Sequence, residues 1–189
     1  GRTINLTKSA GEDEISLAWS PHGRELAFHS GTSRDVAVLT LATGQRRNIT
    51  NDGAAANDRY PNWSPNGSRI AFESFAPGVP PDYADYDRIF TANASDGSDR
   101  RLLAQEYYDD SFGEGAYFSG PAYSPNGKQI AYVRTAIDYV NARPQIYRMS
   151  AATGTNKKLV YNAYNSGSGY PYGEDVSVRS LDWGDLVRR

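Results

Sequence analysis

Tyrosine and carboxylate side chains are concentrated in four segments of this 189-residue chain. Tyrosine offers a large, rigid contact area and a hydroxyl group, and it is a main contact residue of adaptable recognition surfaces. The carboxylates favour a partner that is basic. This composition predicts a surface that binds a protein or peptide. Residues 74–87, 104–120, 135–143 and 161–177 hold ten of the fourteen tyrosines and ten carboxylates against one basic residue, Arg143.

The residues that we expect to contact such a partner come from all four segments. Two other interpretations stay open. The tyrosines could stack on sugar rings, so that the partner is a carbohydrate, or they could pack on one another in long, solvated surface connections. The predicted contact residues are Tyr83, Tyr86, Tyr107, Tyr108, Asp109, Asp110, Tyr139, Tyr170 and Tyr172.

Two groups of acids in these segments could supply oxygen ligands to a calcium ion. Neither group has the spacing of a twelve-residue calcium loop, and clustered acids usually form a solvated surface. We therefore expect no cofactor, with calcium as the alternative. His22 and His29 lie in a turn and on a strand, and they predict no transition-metal site. The two acidic groups are Asp82, Asp85 and Asp87, and Asp109, Asp110 and Glu114.

Nucleophilic catalysis has little support in the sequence. The chain contains no cysteine, which excludes thiol chemistry and thiolate metal sites. It has no Gly-x-Ser-x-Gly turn and no histidine in a motif that could activate a serine. Any pair of loop carboxylates could be drawn as a glycosidase pair, so such pairs are uninformative without geometry. We therefore expect a protein that is not an enzyme.

A repeated unit positions the four segments. Each copy begins with an aromatic residue and a Ser-Pro turn that ends in glycine, and an apolar run follows three residues later. Proline presets φ at the first central position of such a turn, and glycine supplies the positive φ before the next strand. A second glycine turn, at Gly44, Gly97 or Gly154, precedes a further short strand. The three turns, at residues 18–23, 62–67 and 122–127, read AWSPHG, NWSPNG and AYSPNG.

Each unit therefore predicts four short antiparallel strands and almost no helix. A four-stranded sheet of this size cannot bury both of its faces alone, so such units stack radially as the blades of a β-propeller. The pattern Trp-Ser-Pro-Asn-Gly, two residues, Ile-Ala-Phe and a later Asp-Gly, best seen at residues 63–72 with Asp96 and Gly97, resembles the repeat of the TolB β-propeller family. The resemblance implies an all-β propeller and a cell-envelope (periplasmic) or extracellular location.

The predicted organisation is a single propeller, or a propeller segment, of about three complete blades with partial terminal strands. The same repeat occurs in the propeller domains of prolyl-oligopeptidase-like peptidases, so a hydrolase or lyase propeller is the competing hypothesis. Residues 1–10 match the outermost strand of a partial blade and residues 176–189 an innermost closing strand. The three blades are predicted at residues 15–50, 60–104 and 120–161.

The interruptions of the repeat all fall on one side of the predicted disc. The turns after the first and third strands stay tight in every unit, whereas the four long segments follow second strands or connect blades. Three blades with partial neighbours would also leave an apolar edge open, so a self-assembling structural protein is a third hypothesis. A net charge of −2 argues against nucleic-acid binding, and no apolar run is long enough to predict a membrane span.

Overall fold

A computed structural model shows twelve β-strands, and it assigns no helix to any residue that it describes. All paired strands are antiparallel neighbours. The first blade contains β1 (Glu14–Trp19), β2 (Glu25–Ser30), β3 (Val36–Thr40) and β4 (Gln45–Asn48). The described residues are 3–9, 11–52, 56–76, 85–109, 114–138 and 141–162.

The second and third blades repeat this order with longer strands. The second contains β5 (Asn57–Trp63), β6 (Arg69–Ala76), β7 (Asp85–Asn93) and β8 (Arg101–Asp109). The third contains β9 (Glu114–Tyr123), β10 (Gln129–Asp138), β11 (Asn141–Ser150) and β12 (Lys158–Asn162). The prediction of an all-β fold with three complete four-stranded blades is confirmed.

Of the predicted outermost strand at residues 1–10, the structure describes residues 3–9 and assigns no strand to them. Residues 3–9 form a bend and irregular backbone. The predicted closing strand at 176–189 lies outside the described residues.

The repeated turns have the predicted backbone geometry. Gly23, Gly67 and Gly127 follow the Ser-Pro dipeptides with φ of 65°, 72° and 69°. The innermost strands also share a bulge, which places Ser16 and Tyr60 at positive φ three residues before the aromatic residue of each turn. A bulge of this kind bends and twists a strand. The tight turns of all three blades lie at one end of the strands, which we call the tight-turn side.

At the opposite end, every described residue of the segments predicted as long connections belongs to a strand, which corrects that expectation for the described part of these segments. The outer parts of β6, β7, β8, β9, β10 and β11 continue pairing beyond the blades, with Tyr86 opposite Tyr107 and Tyr108 opposite Gly115. Ile137 pairs with both Gly115 and Ala142. We call this six-stranded extension the ribbon sheet; its residues are 74–76, 85–87, 104–109, 114–117, 135–138 and 141–143.

Two apolar clusters hold the three blades together. Between the first and second blades, Val36 and Val38 pack with Trp63 and Phe72. The indole N–H of Trp63 also donates a hydrogen bond of 3.1 Å to the carbonyl of Ala18. Between the second and third blades, the corresponding cluster includes Ile89, Leu103, Phe118, Tyr123, Tyr132 and Met149.

No helix in the described part of the chain is long and apolar enough to cross a bilayer.

Candidate functional site

The ribbon sheet brings several of the predicted contact residues together. Tyr86 on β7 lies directly opposite Tyr107 on β8, and the neighbouring pair joins Asp85 and Tyr108. Asp109 at the end of β8 lies opposite Glu114. The remaining predicted contacts, Tyr83, Asp110, Tyr139, Tyr170 and Tyr172, fall outside the described residues.

Two tyrosines of the ribbon sheet project into solvent. The side chain of Tyr107 is 57% exposed and that of Tyr117, opposite Thr135 on β10, is 39% exposed. Tyr117 was not among the predicted contact residues, although it lies in one of the four tyrosine-rich segments. Its position between the buried residues Ala116 and Phe118 on a strand is the feature that sequence reasoning overlooked.

Polar contacts between strands fix the described part of the ribbon sheet. The Arg134 guanidinium donates a hydrogen bond to Glu106 at 2.8 Å, joining the third blade to the second. Arg88 donates to the side-chain oxygen of Gln105 at 3.0 Å, and its guanidinium lies 5.0 Å from the ring centre of Tyr86. One acid of the predicted acidic surface, Glu106, is thus already paired with an arginine, which makes this surface less negative than the sequence count implied.

Asp87 is a buried residue, whereas the sequence placed it in an acidic surface segment. Its carboxylate accepts a 2.7 Å hydrogen bond from the backbone N–H of Phe118. Burial raises the pKa of Asp87 to about 7 and, together with repulsion from Asp87, raises that of Glu73 to about 8. The Arg59 guanidinium lies 2.7 Å from the Glu73 carboxylate. This acid pair belongs to the interface between the second and third blades.

A second acidic group, which no sequence motif predicts, lies between the first and second blades. Asp35, Asp52 and Asp58 each offer a carboxylate oxygen, and these oxygens lie within 4.8 Å of one another. Asp35 and Asp58 are buried. Asp35 lies just before β3, Asp52 in the connection between the two blades and Asp58 on β5, so no single sequence motif contains all three residues.

Arg100 is the basic residue at this acidic group. Its guanidinium lies 2.6 Å from one oxygen of Asp52 and 3.5 Å from one oxygen of Asp58. The same guanidinium lies over the rings of Phe72 and Phe90, 5.0 and 4.3 Å from their centres. Burial raises the pKa of Asp58 to about 6, and the charge of Arg100 opposes this rise.

A family model described as the TolB beta propeller domain matches residues 6–180. Dipeptidyl-peptidase 5 from Porphyromonas gingivalis is 30% identical over 92 residues, which cover 43% of this chain and 13% of that protein.

Two solved structures share the fold. A putative TolB from Agrobacterium tumefaciens is 18% identical, with a TM-score of 0.56 over 83% of this chain and 51% of that one. A chain of a nidogen/laminin complex is 18% identical, with a TM-score of 0.53 over 81% of this chain and 49% of that one. The chain therefore spans about half of these solved chains and a small part of the peptidase.

Proposed function

We propose that this chain, which belongs to the TolB β-propeller family, is a non-catalytic binding module whose ribbon sheet contacts a protein or peptide partner. We place it in the periplasm or outside the cell, as its family implies. The observation that carries the proposal is the exposure of Tyr107 and Tyr117 on strands that extend beyond the blades. A scaffold of stacked sheets presents these rings in a defined geometry.

The rigidity of the ribbon sheet favours binding. Contact residues on flexible loops lose conformational entropy when they bind, and this loss reduces affinity. In the ribbon sheet, strand pairing across the second and third blades and the Arg134–Glu106 contact already restrict the backbone. Tyrosine itself has few rotatable bonds for its contact area. The surface therefore needs little further ordering to bind.

The backbone register supports a basic partner. Asp109 lies directly opposite Glu114 at the outer end of β8 and β9. Two acidic residues at one register position favour a partner that brings lysine or arginine to this end of the strands. A short peptide that combines basic and aromatic residues is the partner chemistry that fits best.

An alanine scan of the ribbon sheet tests the proposal. We expect Tyr107→Ala and Tyr117→Ala to reduce binding to a panel of basic peptides by roughly tenfold each, the loss expected for exposed aromatic contact residues. The matched control is Trp19→Ala, since Trp19 is at least as exposed as both tyrosines but lies on the tight-turn side. Binding that is unchanged in both tyrosine variants, or that is lost equally in the Trp19 variant, would contradict the proposal.

The partial similarity to dipeptidyl-peptidase 5 favours a second candidate, the propeller domain of a hydrolase or lyase. In that case the partner at the ribbon sheet would be a substrate or a neighbouring catalytic domain. The same purified chain should be assayed for turnover on peptide and glycan panels. Turnover that disappears in Tyr107→Ala would replace the binding-module proposal with this one.

Exposed apolar residues on β1 favour a third candidate, assembly with further copies. Ile15, Leu17 and Trp19 are all more than half exposed on this strand. Light scattering of the chain over a range of concentrations tests it. A monodisperse monomer at high concentration would exclude assembly, whereas an assembly that Leu17→Ser disperses would support it.

A further inference from the structure

We propose that Asp35, Asp52 and Asp58 bind one calcium ion in the interface between the first two blades. The site is distinct from the two acidic groups that the sequence offered for calcium, and it does not depend on the proposed function of the ribbon sheet. It joins three parts of the chain: Asp35 immediately before β3, Asp52 in the connection after β4, and Asp58 on β5.

The distances between the carboxylate oxygens fit calcium. Calcium takes oxygen ligands at about 2.3–2.6 Å, so two ligands on opposite sides of the ion lie about 4.6–5.2 Å apart and neighbouring ligands lie closer. The three aspartates offer oxygens that all lie within 4.8 Å of one another. One ion can therefore contact all three without a large movement of the backbone.

Two carboxylate oxygens of these aspartates are buried without a hydrogen-bond partner. The side chain of Asp58 is fully buried, with 0% of its surface exposed. Its Oδ2 atom accepts no hydrogen bond, and neither does the buried Oδ1 atom of Asp52. Leaving a buried carboxylate oxygen without a hydrogen bond or a cation is unfavourable. A bound cation would satisfy both atoms at once.

Arg100 neutralises only part of the negative charge. Three ionised aspartates face one guanidinium, and this guanidinium approaches Asp52 closely but Asp58 only at 3.5 Å. Its stacking on Phe72 and Phe90 and its 3.2 Å hydrogen bond to the Ser74 hydroxyl keep it at one side of the group. The remaining charge of −2 matches a divalent cation.

Neighbouring groups orient the ligands. Asn48 donates a 2.6 Å hydrogen bond to one oxygen of Asp35, and Thr50 donates one of 3.0 Å to the other. A ring nitrogen of His29 bonds to the backbone carbonyl of Asp58 at 2.8 Å, so it is not directed at the carboxylates. All the ligands offered are therefore oxygen atoms, which favour calcium over zinc.

The interface between the second and third blades offers a natural control. It also contains a buried acid pair, Glu73 and Asp87, beside one arginine. Among the residues that the structure describes, only the first interface brings three acids within reach of one ion. A calcium effect at the first interface should therefore be insensitive to substitution at the second.

Calcium binding to the complete chain tests the proposal. The protein is treated with a chelator, and thermal unfolding and calorimetric titration are then measured with CaCl₂ and with MgCl₂. We expect one calcium site and a calcium-dependent rise in Tm that magnesium does not reproduce. We expect Asp58→Asn to abolish both, while Asp87→Asn retains them. A wild-type chain with no calcium-dependent rise, or an Asp58→Asn variant with an unchanged rise, would overturn the proposal.

Asp52→Asn is a second variant for the calcium-binding test, and it is needed if Asp58→Asn does not fold. Asp52 is partly exposed, so its substitution disturbs the buried part of the interface less than Asp58→Asn does. Removing one of three charged ligands should weaken calcium binding by about tenfold or more, since ligand charge tunes calcium affinity. An Asp52→Asn variant that binds calcium as tightly as the wild type would also overturn the proposal.

Discussion

Trp19 and Trp63 occupy the same position in consecutive blades, but 62% of the Trp19 side chain is exposed and only 7% of that of Trp63. Tyr123, at the same position in the third blade, is 9% exposed. The difference arises from the neighbours. Trp63 packs against the first blade and donates to its Ala18 carbonyl, whereas no described residue offers Trp19 the corresponding surface. The repeat determines the residue, and the adjacent blade determines whether it is buried.

The largest effect that tests this comparison is the loss of an aromatic ring. Trp63→Ala should lower the free energy of unfolding by about 3–5 kcal/mol, because it removes a buried ring and leaves a cavity. Trp19→Ala should cost no more than about 0.5 kcal/mol, as for other exposed positions. Urea unfolding of both variants measures the two costs.

Equal losses in these two variants would break the comparison. They would show that Trp19 is covered in solution, by another copy or by a part of the chain outside the described residues. Concentration-dependent stability in the Trp19 experiment would separate these cases, since only association depends on concentration.

A second test uses the glycines of the turns after the third strands. Gly44 and Gly97 have φ of 71° and 75°, so alanine is strained at both. A Cβ atom at Gly97 would lie 1.8 Å from the carbonyl oxygen of Ile49 in the preceding blade, whereas one at Gly44 meets nothing within 4 Å. Gly44→Ala should therefore cost about 1 kcal/mol and Gly97→Ala at least about 2 kcal/mol more.

Thermal unfolding of the two glycine variants separates backbone strain from the contact between blades. Gly154 supplies a third measurement, because a Cβ there would lie 2.1 Å from the carbonyl oxygen of Leu103. If Gly44→Ala cost as much as Gly97→Ala, positive φ alone would explain the loss and close blade contact would contribute nothing.

The repeated turns and blades could be predicted because Ser-Pro-Asn-Gly and the apolar runs act locally. The ribbon sheet could not. Residues such as Gln105 and Glu106 on β8 lack the β-branched character of typical strands, and their pairing depends on partners in β7. The acidic group at Asp35, Asp52 and Asp58 was also missed, since its members come together only when two blades stack. The exposure of Trp19 could not be predicted either, because the repeat pattern is the same in every blade.

A third prediction concerns how stability depends on pH at the interface between the second and third blades. Burial and repulsion by Asp87 raise the pKa of Glu73 to about 8, above its ordinary value of 4.5. The folded state thus holds a proton that the unfolded state releases, so stability should fall as pH rises from about 4.5 to 8. Glu73→Gln replaces this titrating group with a neutral one. The loss of stability between pH 4.5 and 8 should therefore be smaller by at least about 1 kcal/mol in the variant.

Urea unfolding at intervals between pH 5 and 9 measures this dependence. The stability of Glu73→Gln relative to wild type should increase steadily with pH, because glutamine stays neutral while glutamate is forced to ionise near Asp87. Curves that run parallel across this range would show that Glu73 is not the group responsible, and Asp87→Asn would then be the variant to compare.

The smallest predicted effect concerns Glu12 and Arg46 on the face of the first blade that does not pack against the second blade. Here the pKa of the acid is lowered, so stability should fall as pH falls. Arg46 donates two 2.8 Å hydrogen bonds to Glu12 and lies 5.1 Å from the ring centre of Phe28. Hydrogen bonds from Arg46 and Ser30 lower the pKa of Glu12 to about 2. This contribution is complete above about pH 4.5 and is lost as pH falls towards 2.

Glu12→Gln should therefore destabilise the protein by only about 0.5–1 kcal/mol at pH 7, because the Arg46 side chain is one-third exposed and solvent screens the pair. The difference from wild type should disappear near pH 2 and shrink in high salt. Unfolding at pH 7 and at pH 2.5, each in low and in high salt, measures the two dependences. A loss that is the same at the two pH values would mean that Glu12 acts by packing and not by charge. Apolar contacts would then be the main source of stability on this face of the first blade, as they are at the two interfaces between blades.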